Sequence, residues 1–283
     1  MTLKKRTGCF PCWKAGGRGQ KMHVLFTICG RAGSKGVKNK NLKTFIDVPL
    51  VYLSLSAIQL YMERHADVSV DVVLNTDSKE LISLVQAQKA VPVSVIMRDE
   101  SLAGDTVPKV AVITNCLVTM EKEKGTAYDV VVDLDNTSPL RTAGDVTHAI
   151  EKLTENPETY DVVFSVTSCR RNPYFNMVEE RDGYYCTSKD AVFTARQQAP
   201  AVYDMNASIY AYSPRALREK DAETYFKSRC GVIMMKDTAV LDIDSEEDFE
   251  LMQVLAAYFY RNYPAYDEVY QNAKQLAACK AKG

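Results

Sequence analysis

The chain is predicted to be an α/β protein, a Rossmann-like three-layer arrangement around a mainly parallel sheet. Short, almost wholly apolar, β-branched runs recur along it, as in strands buried on both faces. Helix-like stretches alternate with these runs, which is the order that produces a parallel sheet with helices above and below. At 283 residues the chain is near the ~250–300 residues at which one hydrophobic core stops growing.

The elements follow in order. Residues 23–29 read as the first strand, 49–63 as a helix, 70–75 as a strand, 78–88 as a helix and 93–97 as a strand. Residues 106–122 are expected to be helical, 129–135 a strand, 143–153 a helix and 161–166 a strand. Between 168 and 205 the alternation lapses around Pro173, Gly183 and Pro200, with hairpin-like pieces expected at Asp182-Gly183. An insertion of this kind in an α/β domain serves as a lid, an oligomer contact or a plain surface excursion. Strands return at 207–212 and 240–243. Ser245 then caps a helix over 246–260, with an acidic first turn and an apolar stripe of Phe249, Met252, Leu255, Ala256 and Phe259. Residues 22–262 are thus read as one domain, and the tail 263–283 as either a closing helix or a frayed end.

Composition removes several functions. Lys and Arg total 35 against 36 Asp and Glu, which argues against binding duplex nucleic acid through bulk counterion release. No apolar run approaches the ~20 residues that span a bilayer. Eight scattered cysteines read as reduced thiols in a cytoplasm rather than a disulfide framework, and His23, His65 and His148 are not spaced as a metal pair. Residues 1–21 hold six basic residues and no acid, with Gly16, Gly17 and Gly19 disfavouring stable structure, and are expected to be a disordered basic leader. Cys9 and Cys12 form a CxxC with no second pair nearby, and Met22, directly before the first strand, is a candidate start of translation.

The chemistry begins after the first strand, at Gly30-Arg31-Ala32-Gly33-Ser34-Lys35-Gly36 followed by Val37-Lys38-Asn39-Lys40-Asn41. Glycines let a turn bring backbone N–H groups toward an anion, and residues 31–43 hold five basic side chains and no acid. Ligands of α/β sheets settle at the carboxyl ends of strands, so a polyphosphate site is expected here. The loop is neither a dinucleotide fingerprint nor a Walker loop, and an NAD dehydrogenase is correspondingly disfavoured. Late in the chain, Leu241-Asp242-Ile243-Asp244-Ser245 puts two carboxylates on one face of a strand. Two hard oxygen ligands beside substrate phosphates suit magnesium. Between these segments, Asp133-Leu134-Asp135-Asn136-Thr137-Ser138-Pro139-Leu140-Arg141 closes a buried strand.

Taken together, these segments resemble the CMP-sialic acid synthetases, the acylneuraminate cytidylyltransferases. That family carries Arg-x-x-Ser-Lys-Gly then Lys-Asn, a central Thr-Ser-Pro-Leu-Arg and a late Asp-Ile-Asp. The likeness extends to Arg98 with Leu102-Ala103-Gly104-Asp105-Thr106, to Arg196-Gln197-Gln198 and to 206–210. It spans about residues 22–260. The resemblance implies a nucleotidyltransferase that uses Mg2+ to move CMP from CTP to the anomeric hydroxyl of a nonulosonic acid, releasing pyrophosphate. Arg31, Ser34, Lys35, Lys40 and Asn41 would hold the phosphates and ribose, with Arg31, Lys35 and Lys40 offsetting charge on the departing pyrophosphate. Arg98, Asp105, Thr106 and Lys109 would frame the cytosine, and Asp242 and Asp244 would bind the metal. Asp135, Thr137, Ser138, Arg196, Gln197, Asn206 and Tyr210 would face the sugar acid. The 168–205 insertion would make a homodimer.

This chain departs from the family pattern at Gly30 (usually alanine), Ala207 (usually glycine) and Asp135 (usually glutamine). Asp135 is left three roles: joining Asp242 and Asp244 around a second cation, accepting from a substrate amide, or removing the nucleophile's proton in place of a metal-held water. The runs 170–176 and 203–208 resemble the bacterial branch that activates legionaminic acid more than the N-acetylneuraminic acid branch. Pseudaminate or Kdo transfer, and an idle nucleotide-binding regulatory module, are the competing readings.

Overall fold

The computed structural model describes residues 21–33, 36–104, 106–190, 196–219, 228–238 and 242–278. Strand β1 (His23–Cys29) occupies the centre of the sheet, with its interior residues wholly buried. A short 3-10 turn at Lys40–Leu42 and the small ribbon of β2 (Thr44–Phe45) and β3 (Val48–Pro49) lead into α1 (Leu50–Arg64). Strand β4 (Ser69–Thr76) lies parallel to β1. Helix α2 (Lys79–Ala87), capped by the Ser78 side chain, then returns to β5 (Ser94–Met97) at the sheet's edge. Helix α3 (Lys109–Lys124) crosses to the other side of β1, where β6 (Val130–Leu134) pairs in parallel with it. Helix α4 (Ala143–Thr154), held by a Thr142/Asp145 capping box, precedes β7 (Val162–Ser168).

The hairpin expected at Asp182-Gly183 is present as β8 (Val178–Arg181) and β9 (Tyr184–Thr187). Both turn residues have left-handed backbone, φ 53° and 82°, as a tight two-residue loop requires. Strand β10 (Tyr203–Tyr212) runs antiparallel between β6 and β7. Helix α5 (Pro214–Glu219), β11 (Cys230–Met234), α6 (Glu246–Asn262) and α7 (Pro264–Ala278) complete the order. The main sheet reads β11-β7-β10-β6-β1-β4-β5 and is parallel apart from β10. Helices α1, α4, α6 and α7 share one core, which covers one face of the sheet; α3 and α5 cover the other.

Several expectations need correction. Helix α3 begins at Lys109 rather than 106, because Pro108 starts it and disfavours helical backbone at Val107. Of the strand expected over 240–243, residues 240 and 241 lie outside the described residues, and Asp242 and Ile243 form a bend and coil. The inward–outward alternation still holds there, with Ile243 fully buried between the two aspartates. Strand β11 and helix α5 were not foreseen.

The tail holds a helix. Tyr266, Val269, Ala273 and Leu276 of α7 pack into the main core against α1. Helix α1 is apolar on nearly every face, so a cover over its outer side is what its composition demands. The leader, apart from Lys21, lies outside the described residues.

Candidate active site

Parallel pairing of β1 with β4 on one flank and β6 on the other makes the end of β1 the point where strand order reverses. Loops diverge at such a point and leave a crevice. A cleft of about 420 Å³ opens there, lined by Cys29, Arg31, Gly36, Lys40, Asn41, Arg98, Leu102, Gly104, Val107, Lys109, Val112, Asp135, Thr137 and Asp244. Eight residues singled out from the sequence therefore share one wall system.

The glycine loop and the late aspartates are in direct contact. A Cβ on Gly36 would lie 1.8 Å from the Asp244 carbonyl oxygen, so only glycine permits this approach. Lys40, largely buried, donates from Nζ to the Ile243 carbonyl and sits 3.6 Å from Asp244 Oδ1. Ile243 N donates to Thr137 O at 2.8 Å, which ties the β6 loop into the same junction. Asp242 is half-buried, and its carboxyl is held above the usual range by burial, then by the like charges of Asp244 and Asp135. Ser34, Lys35 and Asp105 lie outside the described residues.

On the opposite wall, Lys109 Nζ lies 2.6 Å from both Asp133 Oδ2 and Asp135 Oδ2. Burial alone would lower this ammonium; the two carboxylates overcome it and hold it above its usual value. Burial would likewise raise Asp135, but Lys109 and the Thr137 N–H and hydroxyl bring it down to about 2. Asp133 is fully buried and accepts from Thr27 Oγ at 2.7 Å. A carboxylate so stabilised is a poor proton acceptor, which weighs against Asp135 as the general base. Its Oδ2 is taken up by Lys109 and its Oδ1 by the Thr137 N–H and hydroxyl. Cys29 sits nearby, its thiol raised by a hydrogen bond with Cys116, by burial and by Asp133, so it is unsuited to nucleophilic work.

Arg98 is fixed on the β4 end, donating from Nε to Asn75 Oδ1 at 2.8 Å and from Nη2 to Asn75 O at 3.0 Å. Tyr210 is close enough to the acidic group for its hydroxyl to be pushed up to about 12, by burial first and then by Asp135, Asp133 and Asp242 against Lys109. Thr106 is exposed and does not line the cleft. Ser138 and Asn206 are buried behind the wall: Ser138 O accepts from Ser208 Oγ at 3.1 Å, and Asn206 Oδ1 accepts from Ser165 Oγ at 2.6 Å. Gln197 is exposed in a 3-10 turn, Arg196–Gln198, away from the cleft lining; the Arg196 side chain lies outside the described positions.

Sequence reading left Arg141 without a role. It is among the largest fully buried side chains, and desolvation lowers its guanidinium to about 10 against the pull of Asp135, Asp133 and Asp145. Its signal was an arginine following a buried strand and turn, a place where a solvated cation is not expected. Gly30 also matters more than its place in the loop suggested: a Cβ there would meet Leu81 Cδ2 at 2.8 Å and Asn41 Nδ2 at 3.0 Å.

Comparison with known proteins agrees with this geometry. Residues 25–275 match the family model described as Cytidylyltransferase. The chain is 36% identical over 232 residues to the CMP-N,N'-diacetyllegionaminic acid synthase of Campylobacter jejuni, covering 82% of this chain and 94% of that one. It is 35% identical, with the same coverage, to Post-translational flagellin modification protein B of Campylobacter coli. The solved CMP:2-keto-3-deoxy-manno-octonic acid synthetase complexed with CTP superposes with a TM-score of 0.56 at 16% identity, covering 83% of this chain and 98% of that chain. That likeness is one of fold. With a nucleotidyltransferase sheet, a cationic glycine loop and a carboxylate couple meeting at the switch point, and this extent of matched sequence, the chain belongs to the cytidylyltransferase family.

Proposed function

We propose that the protein is a CMP-nonulosonate synthetase, transferring CMP from CTP to the anomeric hydroxyl of a sialic-acid-like sugar with release of pyrophosphate. The substrate we favour is a legionaminate-type acid, on the 36% identity to the C. jejuni synthase and the 170–176 and 203–208 runs. The observation that carries the reading is the packing of Gly36 against the Asp244 carbonyl, with Lys40 bridging the two segments. A triphosphate following the glycine loop would end beside the aspartates.

Asp242 and Asp244 fit a divalent cation, Mg2+ in our reading. They are hard oxygen donors, and the mutual repulsion that raises Asp242 is what such an ion relieves. When bound, the ion supplies Lewis-acid polarisation of the α-phosphate. The chain itself provides position and charge. Arg31, Lys35 and Lys40 stabilise negative charge gathering on the leaving pyrophosphate. Arg98, braced on Asn75, and Lys109 border the base, while Asp135, Thr137 and Tyr210 face the sugar acid. Most of the catalytic work is orientation and electrostatics.

The insertion presents Met177, Val178, Tyr184 and Tyr185 largely exposed, an apolar surface suited to a symmetric homodimer contact. The five described cysteines are free thiols, which accords with a cytoplasmic enzyme. A pyrophosphate-release panel crossing four nucleoside triphosphates with N-acetylneuraminic, legionaminic, pseudaminic and Kdo acids tests the reading. Turnover with CTP and a legionaminate or N-acetylneuraminate acid is expected, and turnover confined to pseudaminate or Kdo would reject it. Asp244→Ala is expected to abolish release while leaving the fold intact.

A further inference from the structure

Four side chains form one continuous line of hydrogen bonds across the back of the cleft. Arg141 Nη1 donates to Ser54 Oγ at 2.9 Å, and Ser54 Oγ donates to Asn136 Oδ1 at 2.8 Å. Asn136 Nδ2 donates to Asn41 Oδ1 at 3.3 Å, and Asn41 Nδ2 donates to the Arg31 main-chain carbonyl at 3.4 Å. Every link points the same way. The direction is imposed at the start, because a guanidinium has only donors. Ser54 must therefore accept from it and send its own proton to Asn136, which sets the amide orientation of each asparagine in turn. Chains aligned head to tail in this manner polarise one another and strengthen.

The remaining donors of Arg141 hold the other side of the cleft. Nε donates to Ser208 Oγ at 3.0 Å, beside the β10 bulge. Nη2 donates to the Asp135 carbonyl and, at 2.6 Å, to the Ser138 carbonyl. Burying a guanidinium is costly, and an apolar side chain would fill the same volume at lower cost. Its acceptors are the Ser54 hydroxyl of α1, where the line toward the glycine loop begins, and the Ser208 hydroxyl with the Asp135 and Ser138 carbonyls on the side of the sugar acid.

We propose that Arg141 is a positioning residue that sets the two sides of the cleft relative to each other, clamping the 135–138 turn directly and the Arg31 main chain through Ser54, Asn136 and Asn41. The nucleotide side of this inference rests on the family assignment, and the sugar side on the function proposed above.

Ser54→Ala cuts the relay and spares the other three bonds of Arg141; Asn136→Ala cuts it one link further on. For each, CTP affinity is measured by calorimetry without sugar acid, together with amide hydrogen exchange at residues 36–42 and the sugar-acid KM. We expect the CTP Kd to rise about three- to tenfold, the size of one lost buried hydrogen bond. Exchange at 36–42 should quicken, and the sugar-acid KM should stay within about twofold of wild type. Arg141→Lys should raise both the CTP Kd and the sugar-acid KM. Ser54→Ala combined with Asn41→Ala should bind CTP no more weakly than Asn41→Ala alone, since the chain is already cut. Wild-type Kd and exchange in both single variants would overturn the proposal, as would losses that multiply in the double variant. Wild-type protein that failed to bind CTP would refute the functional reading, while the exchange measurement would still decide the relay.

Discussion

Replacing Gly36 by alanine is the most direct mechanical test of the junction between the glycine loop and the aspartates. The added Cβ would lie 1.8 Å from the Asp244 carbonyl oxygen, and real contacts of this kind are essentially never closer than 3.0 Å. The two segments must therefore part by about 1.2 Å. A displacement of about 1 Å in reacting groups costs on the order of 100-fold in rate, so kcat/KM for pyrophosphate release is expected to fall about 100-fold. Overpacking of this sort also costs about 1–3 kcal/mol of stability. Gly125→Ala serves as the control. Gly125 caps α3 with φ 64° and open space around its would-be Cβ, so alanine there brings backbone strain alone, about 1–2 kcal/mol. It should lower the thermal midpoint without changing kcat/KM. If Gly36→Ala kept kcat/KM within threefold of wild type, the claim that this contact sets the site would be wrong.

Other outcomes follow from the electrostatics and the backbone. Asp242→Asn removes a carboxylate destabilised by burial and by like charges, so it should raise the midpoint of the ligand-free protein at neutral pH while abolishing turnover; a lower midpoint would refute the assigned repulsion. Asp135 is depressed in the folded state to about 2, so its contribution is fully present above its unfolded value near 4 and is lost as pH falls through about 2. Across that window Asp135 accounts for about 2 kcal/mol. Comparing the acid unfolding of wild type with that of Asp135→Asn should show the variant with the shallower pH dependence there. Ala207 occupies left-handed backbone, φ 51°, at the β10 bulge, and Ala207→Gly should relieve strain of about 1 kcal/mol, seen as a midpoint rise of about 2 °C. An unchanged or lower midpoint would mean the surroundings already accommodate the alanine.

Much of the fold was legible because its strands are apolar on both faces and its turns carry their own chemistry. Ser245 announced a helix start, and Asp182-Gly183 announced a hairpin. What escaped depends on tertiary partners. Helix α7 is weakly apolar by itself, and the need for it shows only in α1, whose run of leucines and aromatics leaves no face for solvent. Strand β11 is short and finds its place by pairing with β7 and slipping Gly231 beneath the Tyr160 ring.

The cleft's polar walls were legible as loop chemistry: Arg31, Lys40, Arg98, Lys109 and Asp244 all line it. The state of Asp135 was not, because it depends on a lysine 26 residues away meeting two carboxylates at once. Asn206 reads as a polar residue near a site, yet its amide is taken up by Ser165 and Met235 in the sheet.

The decisive measurement is anomalous diffraction from a crystal soaked with CTP and Mn2+. Manganese density is expected between the Asp242 and Asp244 carboxylates and the nucleotide's phosphates, with the triphosphate lying along residues 31–41. Metal or nucleotide density elsewhere on the molecule, with this junction empty, would contradict the joining of loop and aspartates into one site.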